Sequence, residues 1–140
     1  MLLFLYKKKY YKIFKSITAI VIFLFPINCY AEYEWEKIAE AKSGDVYYID
    51  LSTIKKVGDN IFFLRLKDYI KPDKFGDLSN MIYGEVNCSN FDFKYYKDFY
   101  FSEPMGNGEP STVYDEISEW YEVTKNSVGE YIYSFVCNYK

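Results

Sequence analysis

The sequence predicts an α+β fold: a mainly antiparallel β-sheet, followed by a C-terminal segment with the features of an α-helix. Two observations predict the sheet. Residues after position 31 hold 13 of the 17 Tyr, 8 of the 12 Phe and both Trp, and aromatic side chains favour a pleated, half-buried surface. Turn signals also follow one another so closely that no helical crossover fits between strands, which favours antiparallel pairing.

Alternation of apolar and polar residues identifies the individual strands. In Phe91–Phe101 the odd positions are aromatic apart from one lysine, and several even positions are charged. A period of two predicts a strand with one face on a core. Ile61–Tyr69 alternates in the same way, with Phe62, Leu64 and Leu66 on one face. The shorter predicted strands are Glu34–Ala39, Asp45–Asp50, Asn80–Cys88 and Ser118–Val123.

The C-terminal segment fits two structures. Ser127 and Glu130 have the spacing of a capping box, in which the hydroxyl caps the helix and the carboxylate follows three residues later. The apolar residues of the segment then fall on one helical stripe, namely Val128, Ile132, Phe135 and Tyr139. Residues 131–136 are equally good strand formers, and Gly129 weakens a helix. The residues alone favour the helix and leave the strand open.

The N-terminus has the organisation of a cleaved signal peptide, residues 1–31, which leaves a single domain of residues 32–140. Five lysines precede a short apolar stretch, Ile17–Phe25, and small residues suit a cut after Ala31. A retained membrane anchor is the alternative, but the apolar run is about half of the roughly 20 residues that a spanning helix needs. Lipidation of Cys29 is disfavoured because Asn28 precedes it.

Charge and cysteine content narrow the function of residues 32–140. They hold 12 Lys+Arg against 20 Asp+Glu, a net charge of −8, which argues against nucleic acid and anionic lipid as partners. Cys88 and Cys137 are the two cysteines of this part, and in an oxidising compartment such a pair most simply forms one disulfide. The alternative, two thiolates on a metal, lacks further ligands because the chain has no His.

Catalytic signals are weak. Without His, the usual Ser-His and Cys-His pairs cannot form. A carboxylate pair such as Asp115 and Glu119 is better explained as part of a solvated acidic surface. Gly106-Asn107-Gly108 lacks the third glycine and the Lys-Ser/Thr of a phosphate-binding loop, and a flexible loop over Glu103–Ser111 accounts for it. The sequence therefore predicts no enzyme, no cofactor and no metal.

Several short motifs, taken in order, resemble the surface-adhesin E domain family. The family consists of small exported bacterial modules, some of them surface lipoproteins that attach to host matrix and serum proteins. The resemblance covers residues 33–139, although the proline that approaches the helix in the family is absent from Lys125–Ser127. The matching residues are Trp35, Tyr48, Asp50, Asp68, Tyr69, Gly106, Gly108 and Trp120.

The resemblance implies an antiparallel sheet with a C-terminal α-helix tied to it by a Cys88–Cys137 disulfide. It implies an exported, non-enzymatic module of the periplasm or cell envelope that binds host or envelope proteins. The alternative function is a periplasmic inhibitor or envelope stress protein that acts on another protein. The many tyrosines suit a protein interface, and the open edges of a sheet allow pairing with a second copy, so a protein partner and a homodimer are both predicted.

Overall fold

Residues 33–140, the part of the chain that the computed structural model describes, form seven strands and one helix. The predicted signal peptide lies outside these residues, so its cleavage stays a prediction. A 3₁₀ turn at Pro104–Gly106 connects the fifth and sixth strands. The elements are β1 (Trp35–Glu40), β2 (Val46–Val57), β3 (Asn60–Asp68), β4 (Ser79–Asn87), β5 (Asp92–Phe101), β6 (Thr112–Tyr114), β7 (Tyr121–Glu122) and α1 (Val128–Asn138).

The strands form one antiparallel sheet, as predicted. The order is β1-β2-β3-β4-β5-β6, and β7 also pairs with β5. From β1 to β6, each strand pairs with the next one along the chain, as is usual for consecutive strands. Val57 pairs with Asn60 across a two-residue turn, in which Gly58 has a φ of 64° that few residues other than glycine adopt readily.

Each face of the sheet is covered in part. On the helix face, α1 packs over one apolar cluster, and on the turn face the 3₁₀ turn packs over a second. β3 contributes to both, with Phe63 on the helix face and Leu66 on the turn face. Burial stabilises the fold by about 1.5–3 kcal/mol for each large apolar side chain. The helix-face cluster is Ile49, Ile61, Phe63, Val86, Val123, Ile132, Tyr133 and Val136, and the turn-face cluster is Leu64, Leu66, Met81 and Phe101.

A β-bulge in β5 interrupts the alternation that was predicted for Phe91–Phe101. Tyr95 pairs with Gly84 and Lys97 with Tyr83, so Tyr96 has no partner of its own on β4. One extra residue reverses the facing of every side chain that follows it. Phe93 therefore packs on the helix face, whereas Phe101 lies in the turn-face cluster. The prediction that the odd positions share one face is wrong beyond Tyr96.

Other predicted boundaries also change. β2 continues to Val57, well beyond the predicted Asp45–Asp50, with an irregularity in its pairing after Asp50. β6 was not predicted, because Thr112–Tyr114 is too short to show a period. The predicted strand Ser118–Val123 contains only the two residues of β7.

The C-terminal segment is a helix. The Ser127 hydroxyl oxygen accepts a hydrogen bond from the Glu130 amide at 3.1 Å, which caps α1 as predicted. The buried stripe is shifted from the predicted one, since Tyr133 and Val136 are buried beside Ile132. Tyr139 follows the last helical residue and is exposed.

The disulfide ties this helix to the sheet. Cys88 follows β4 and Cys137 lies in the last turn of α1, with 5.8 Å between their Cα atoms. The bond closes a loop of 49 residues, which by the chain-entropy model stabilises the fold by about 4 kcal/mol. The predicted pairing is confirmed.

Candidate functional site

An open groove lined by tyrosines lies at one end of the sheet. Its volume is about 500 Å³. Tyr69 directly follows β3, Tyr100 lies on β5 and Tyr114 on β6, so three separate parts of the chain supply the rings. The lining residues, which we call the tyrosine groove, are Tyr69, Asp73, Lys74, Phe75, Asp77, Tyr100, Thr112 and Tyr114.

A tight loop between β3 and β4 builds one wall of the groove. The Asp73 carboxylate accepts hydrogen bonds from the amides of Phe75 at 2.7 Å and Asp77 at 3.1 Å. The Asp73 amide donates in return to the Asp77 carbonyl at 2.9 Å. Asp is favoured in such turns because its side chain bonds the backbone two residues on. The turn holds the Phe75 ring at the rim, where it is 73% exposed.

A second contact fixes the opposite wall. The Ser111 hydroxyl donates to the buried carboxylate of Asp77 at 2.6 Å, which joins the chain before β6 to the β3–β4 loop. Tyr100 and Tyr114 meet edge to face, with 5.8 Å between the ring centroids. The groove is thus formed by side chains held on strands and a hydrogen-bonded turn.

The electrostatics of the groove favour a cation. Burial raises the pKa of Tyr69 to about 12, with added contributions from Tyr100 and Asp73. Burial also raises the pKa of Tyr100, and the charge of Asp98 adds to the rise. Both hydroxyls are therefore neutral donors at physiological pH, beside two acidic side chains. Aromatic faces attract cations through the ring quadrupole, and Lys67 already shows this contact, with its Nζ 4.6 Å from the Tyr69 ring centroid.

Most of the residues that carry the family resemblance stabilise the fold and do not line the groove. The buried Asp50 carboxylate accepts hydrogen bonds from the Glu34 amide at 2.9 Å and from the amide and hydroxyl of Ser52. Trp35 and Tyr48 pack against the turn-face cluster. These three side chains fix the β1–β2 region and lie outside the groove.

Asp68 and the two glycines build the turn-face cover. The Asp68 carboxylate accepts a hydrogen bond from the Met105 amide at 2.6 Å. Gly106 has a φ of 67°, and a Cβ there would lie 1.9 Å from Cε of Met81. Gly108 also has a positive φ, of 78°. The Gly-x-Gly segment is therefore packed onto the sheet as a turn, and its glycines serve backbone conformation and close approach.

Tyr69 is the one residue of the matched set that lines the groove. Trp120 is 41% exposed and stacks under Lys94, whose Nζ lies 5.4 Å from the ring. Sequence reasoning missed the rest of the groove. The available signal was the Pro72-Asp73 turn, whereas simple alternation in β5 places Tyr100 on the other face.

Other candidate chemistry has no support in the described part of the chain. Asp115 forms an exposed ion pair with Lys97 at 3.0 Å. The Asn87 side chain donates to Asn60 Oδ1 at 2.6 Å and accepts from the backbone amides of Ser89 and Asn90, so it stabilises the turn after β4. Within residues 33–140 no group of three or more His, Cys, Asp or Glu is placed to hold a metal. No helix of that part is both long and apolar enough to cross a membrane.

Comparison with known proteins points to one family. The family model described as surface-adhesin protein E matches residues 35–138. A structure of Haemophilus influenzae protein E has a TM-score of 0.59 at 15% identity, over 81% of this chain and 94% of that one. A structure of protein E from non-typeable Haemophilus influenzae has a TM-score of 0.55 at 16% identity, over 81% of each chain. No curated protein sequence matches the chain.

Proposed function

The chain belongs to the surface-adhesin protein E family, and we propose that residues 32–140 act as an exported, non-enzymatic binding module for proteins. The tyrosine groove is its contact site and takes a basic side chain of the partner. The observation that carries the proposal is the groove itself, which is lined by three tyrosines, an exposed Phe75 and the acidic residues Asp73 and Asp77.

Charge supports a basic partner. Residues 32–140 carry a net charge of −8, which steers cationic surfaces toward the protein and repels anionic ones. Within the groove, Lys74 is the only cation of the lining set, and its Nζ lies 4.7 Å from the Phe75 ring at the rim. A Lys or Arg from a partner would meet aromatic faces and carboxylates together, which strengthens a cation–π contact.

Tyrosines also suit a protein interface. The side chain offers a large contact area and a hydroxyl with few rotatable bonds, so ordering it on binding costs little entropy. Tyr114 at the open side is 55% exposed, and its hydroxyl and ring are both available to a partner. The groove thus combines the anchor residues that dominate binding energy in protein interfaces.

The experiment compares wild-type protein with two serine variants in binding to purified host matrix and serum proteins by surface plasmon resonance. Tyr114→Ser removes a groove ring, and we expect affinity to fall at least about tenfold, as for an interface anchor. Tyr131→Ser is the matched control, because Tyr131 is 66% exposed on α1 and outside the groove. Equal losses from the two variants, or no binding by wild-type protein, would contradict the proposal.

A peptide arm tests the groove chemistry separately. A short lysine-containing peptide and its norleucine counterpart differ only in the ammonium group. We expect the lysine peptide alone to shift the ring signals of Tyr69, Tyr100 and Tyr114 in NMR spectra. Shifts of the same size with norleucine would show that the groove does not select a cation.

The cellular location and oligomeric state are part of the proposal. Surface labelling of intact cells, set against periplasmic extraction, separates a surface module from a periplasmic one. N-terminal sequencing of the exported protein should begin at Glu32 if residues 1–31 are a cleaved signal peptide. Light scattering at micromolar concentration tests the homodimer, for which the outer edge of β1 offers an unpaired strand in the sheet order of residues 33–140.

A further inference from the structure

The chain contains a single arginine, Arg65, at the centre of the sheet. Its side chain lies on the helix face, and its Nε atom is buried with no hydrogen-bond partner among the described residues. A buried guanidinium donor without an acceptor is costly, because the desolvation of a charged group is left uncompensated. Such an orphan needs an explanation, and a bound ligand is one.

The surroundings of Arg65 are aromatic. The guanidinium carbon lies 5.8 Å from the centroid of the Tyr47 ring. Tyr95 and Tyr133 are the other rings beside it, and burial raises the pKa of Tyr133, so that its hydroxyl is neutral. Asp98 is an acidic group whose charge acts on the Arg65 guanidinium. Within the described residues, however, no ion pair joins the two side chains, and one Asp98 carboxylate oxygen is itself buried without a hydrogen-bond partner.

Arg65 lines a cavity between the sheet and the N-terminus of α1. The volume is about 220 Å³, and the walls include Tyr47, Tyr95 and Tyr133 from the aromatic set and Val128 and Gly129 from the first turn of α1. No hydrogen bond of the Val128 or Gly129 amides is found within residues 33–140. These two amides point outward from the start of a helix, where the helix dipole favours an anion.

We propose that this cavity binds a carboxylate group on a short stem, paired with the Arg65 guanidinium. The planar guanidinium matches the two oxygens of a carboxylate, and tyrosine hydroxyls and free helix amides supply further donors. A sulfate or phosphate dianion fits less well, since one arginine faces it in a protein of net charge −8, with the Asp98 carboxyl nearby.

The carboxylate cavity and the tyrosine groove share no lining residue. Their ligands also have opposite charge. The failure of one proposal therefore leaves the other untouched, and each is tested by its own probe.

The single arginine makes the test direct, because only one Nε–H signal from an arginine exists in the ¹⁵N NMR spectrum of the protein. The probe is N-acetylglycine, a minimal carboxylate, and N-acetylglycinamide is its neutral control. We expect the Arg65 Nε–H signal and the Val128 and Gly129 amide signals to shift saturably with the carboxylate only. Sodium sulfate should bind more weakly.

Two variants, each of which removes one positive charge, complete the test. Arg65→Gln should weaken N-acetylglycine binding at least about tenfold, as expected for loss of a charge-assisted hydrogen bond. Lys55→Gln removes the same charge at an exposed position of β2 and should leave the affinity within about twofold. If Arg65→Gln does not fold, the wild-type signals decide. Absent shifts, equal shifts with the neutral control, tighter sulfate binding, or equal losses in both variants would overturn the proposal.

Discussion

Two regions of this protein are built from the same residue type and differ in what covers them. Under α1, Tyr133 is 3% exposed and stacks on Phe93, with 5.0 Å between the ring centroids. In the tyrosine groove, Tyr114 is 55% exposed, and no residue of α1 contributes to the lining. A high tyrosine content therefore does not locate a binding site. The cover of each tyrosine decides whether it stabilises the fold or remains available to a partner.

The largest expected effect is on the helix-covered region. Cys137→Ala releases α1 from the end of β4, and the free energy of unfolding should fall by about 4 kcal/mol, because the disulfide no longer restricts the unfolded chain. Chemical denaturation of the variant, with reduced wild-type protein as the control, measures the loss. At low temperature the folded variant should keep groove binding within about threefold. A groove lost together with the disulfide would show that the two regions depend on each other.

A pair of alanine variants tests the comparison at the level of single rings. Tyr133→Ala leaves a cavity under α1, and we expect the free energy of unfolding to fall by about 3 kcal/mol. Tyr114→Ala removes an exposed ring and should change it by less than about 0.5 kcal/mol. Urea denaturation of both proteins gives the two values. Similar losses would mean that the groove ring is also part of the core.

The sheet was predictable because its signals are local, and a local cap favoured the helix, which the family resemblance then implied. The period of two in β3 and the Ser127–Glu130 cap are both written within a few residues of sequence. The groove was not predictable, because it depends on pairing between distant segments. Tyr114 reaches the groove only because β6 pairs with β5, where it lies opposite Asp98.

The β5 bulge is a second reason why the groove was not predictable from the sequence. Tyr100 is an even position of β5 and, by simple alternation, would share a face with Lys94. The extra residue at Tyr96 brings Tyr100 to the same side as Tyr69 and Tyr114 instead. Tyr95-Tyr96-Lys97 reads as ordinary strand, and the one hint in the sequence is Gly84, an isolated glycine of β4 that pairs with Tyr95 at the bulge. The site therefore depends on a register shift that only the folded sheet reveals.

A smaller effect on stability is expected at Asp45, whose carboxylate accepts a hydrogen bond from the Ile70 amide in the loop that forms one wall of the groove. Partial burial alone would raise the pKa of the Asp45 carboxyl. Hydrogen bonds from Lys67 and the Ile70 amide nevertheless hold this pKa below its usual value. A carboxyl group whose pKa is lower in the folded than in the unfolded protein stabilises the fold at pH values above its unfolded-state pKa. This stabilisation is lost as the pH falls through its folded-state pKa. Asp45→Asn should therefore cost at most about 1 kcal/mol at neutral pH.

The pH series gives the decisive measurement for Asp45. The difference in unfolding free energy between wild-type and Asp45→Asn protein should shrink between about pH 5 and pH 2, as the wild-type carboxyl becomes protonated. Asp115→Asn, which removes a more exposed ion pair with Lys97, is the control and should show a smaller difference throughout. A difference that does not change with pH would mean that the charge of Asp45 does not stabilise the β2–β3 end of the sheet.

The smallest expected effect is at Gly129, and the matched change at Gly106 should have the opposite sign. Gly129 lies in the first turn of α1, where an added Cβ meets Ser127 Oγ at 3.4 Å and the Tyr133 ring at 3.5 Å, which are ordinary contacts. Alanine restricts the unfolded chain and favours a helix, so Gly129→Ala should stabilise the protein by about 0.5 kcal/mol. Gly106→Ala is the matched change on the turn face. Its φ of 67° and the 1.9 Å approach to Met81 Cε should make it destabilising by at least about 1 kcal/mol. Thermal denaturation of both variants tests the signs, and a loss of stability in Gly129→Ala would show that the first turn of α1 is packed more tightly against Tyr133 than these distances imply.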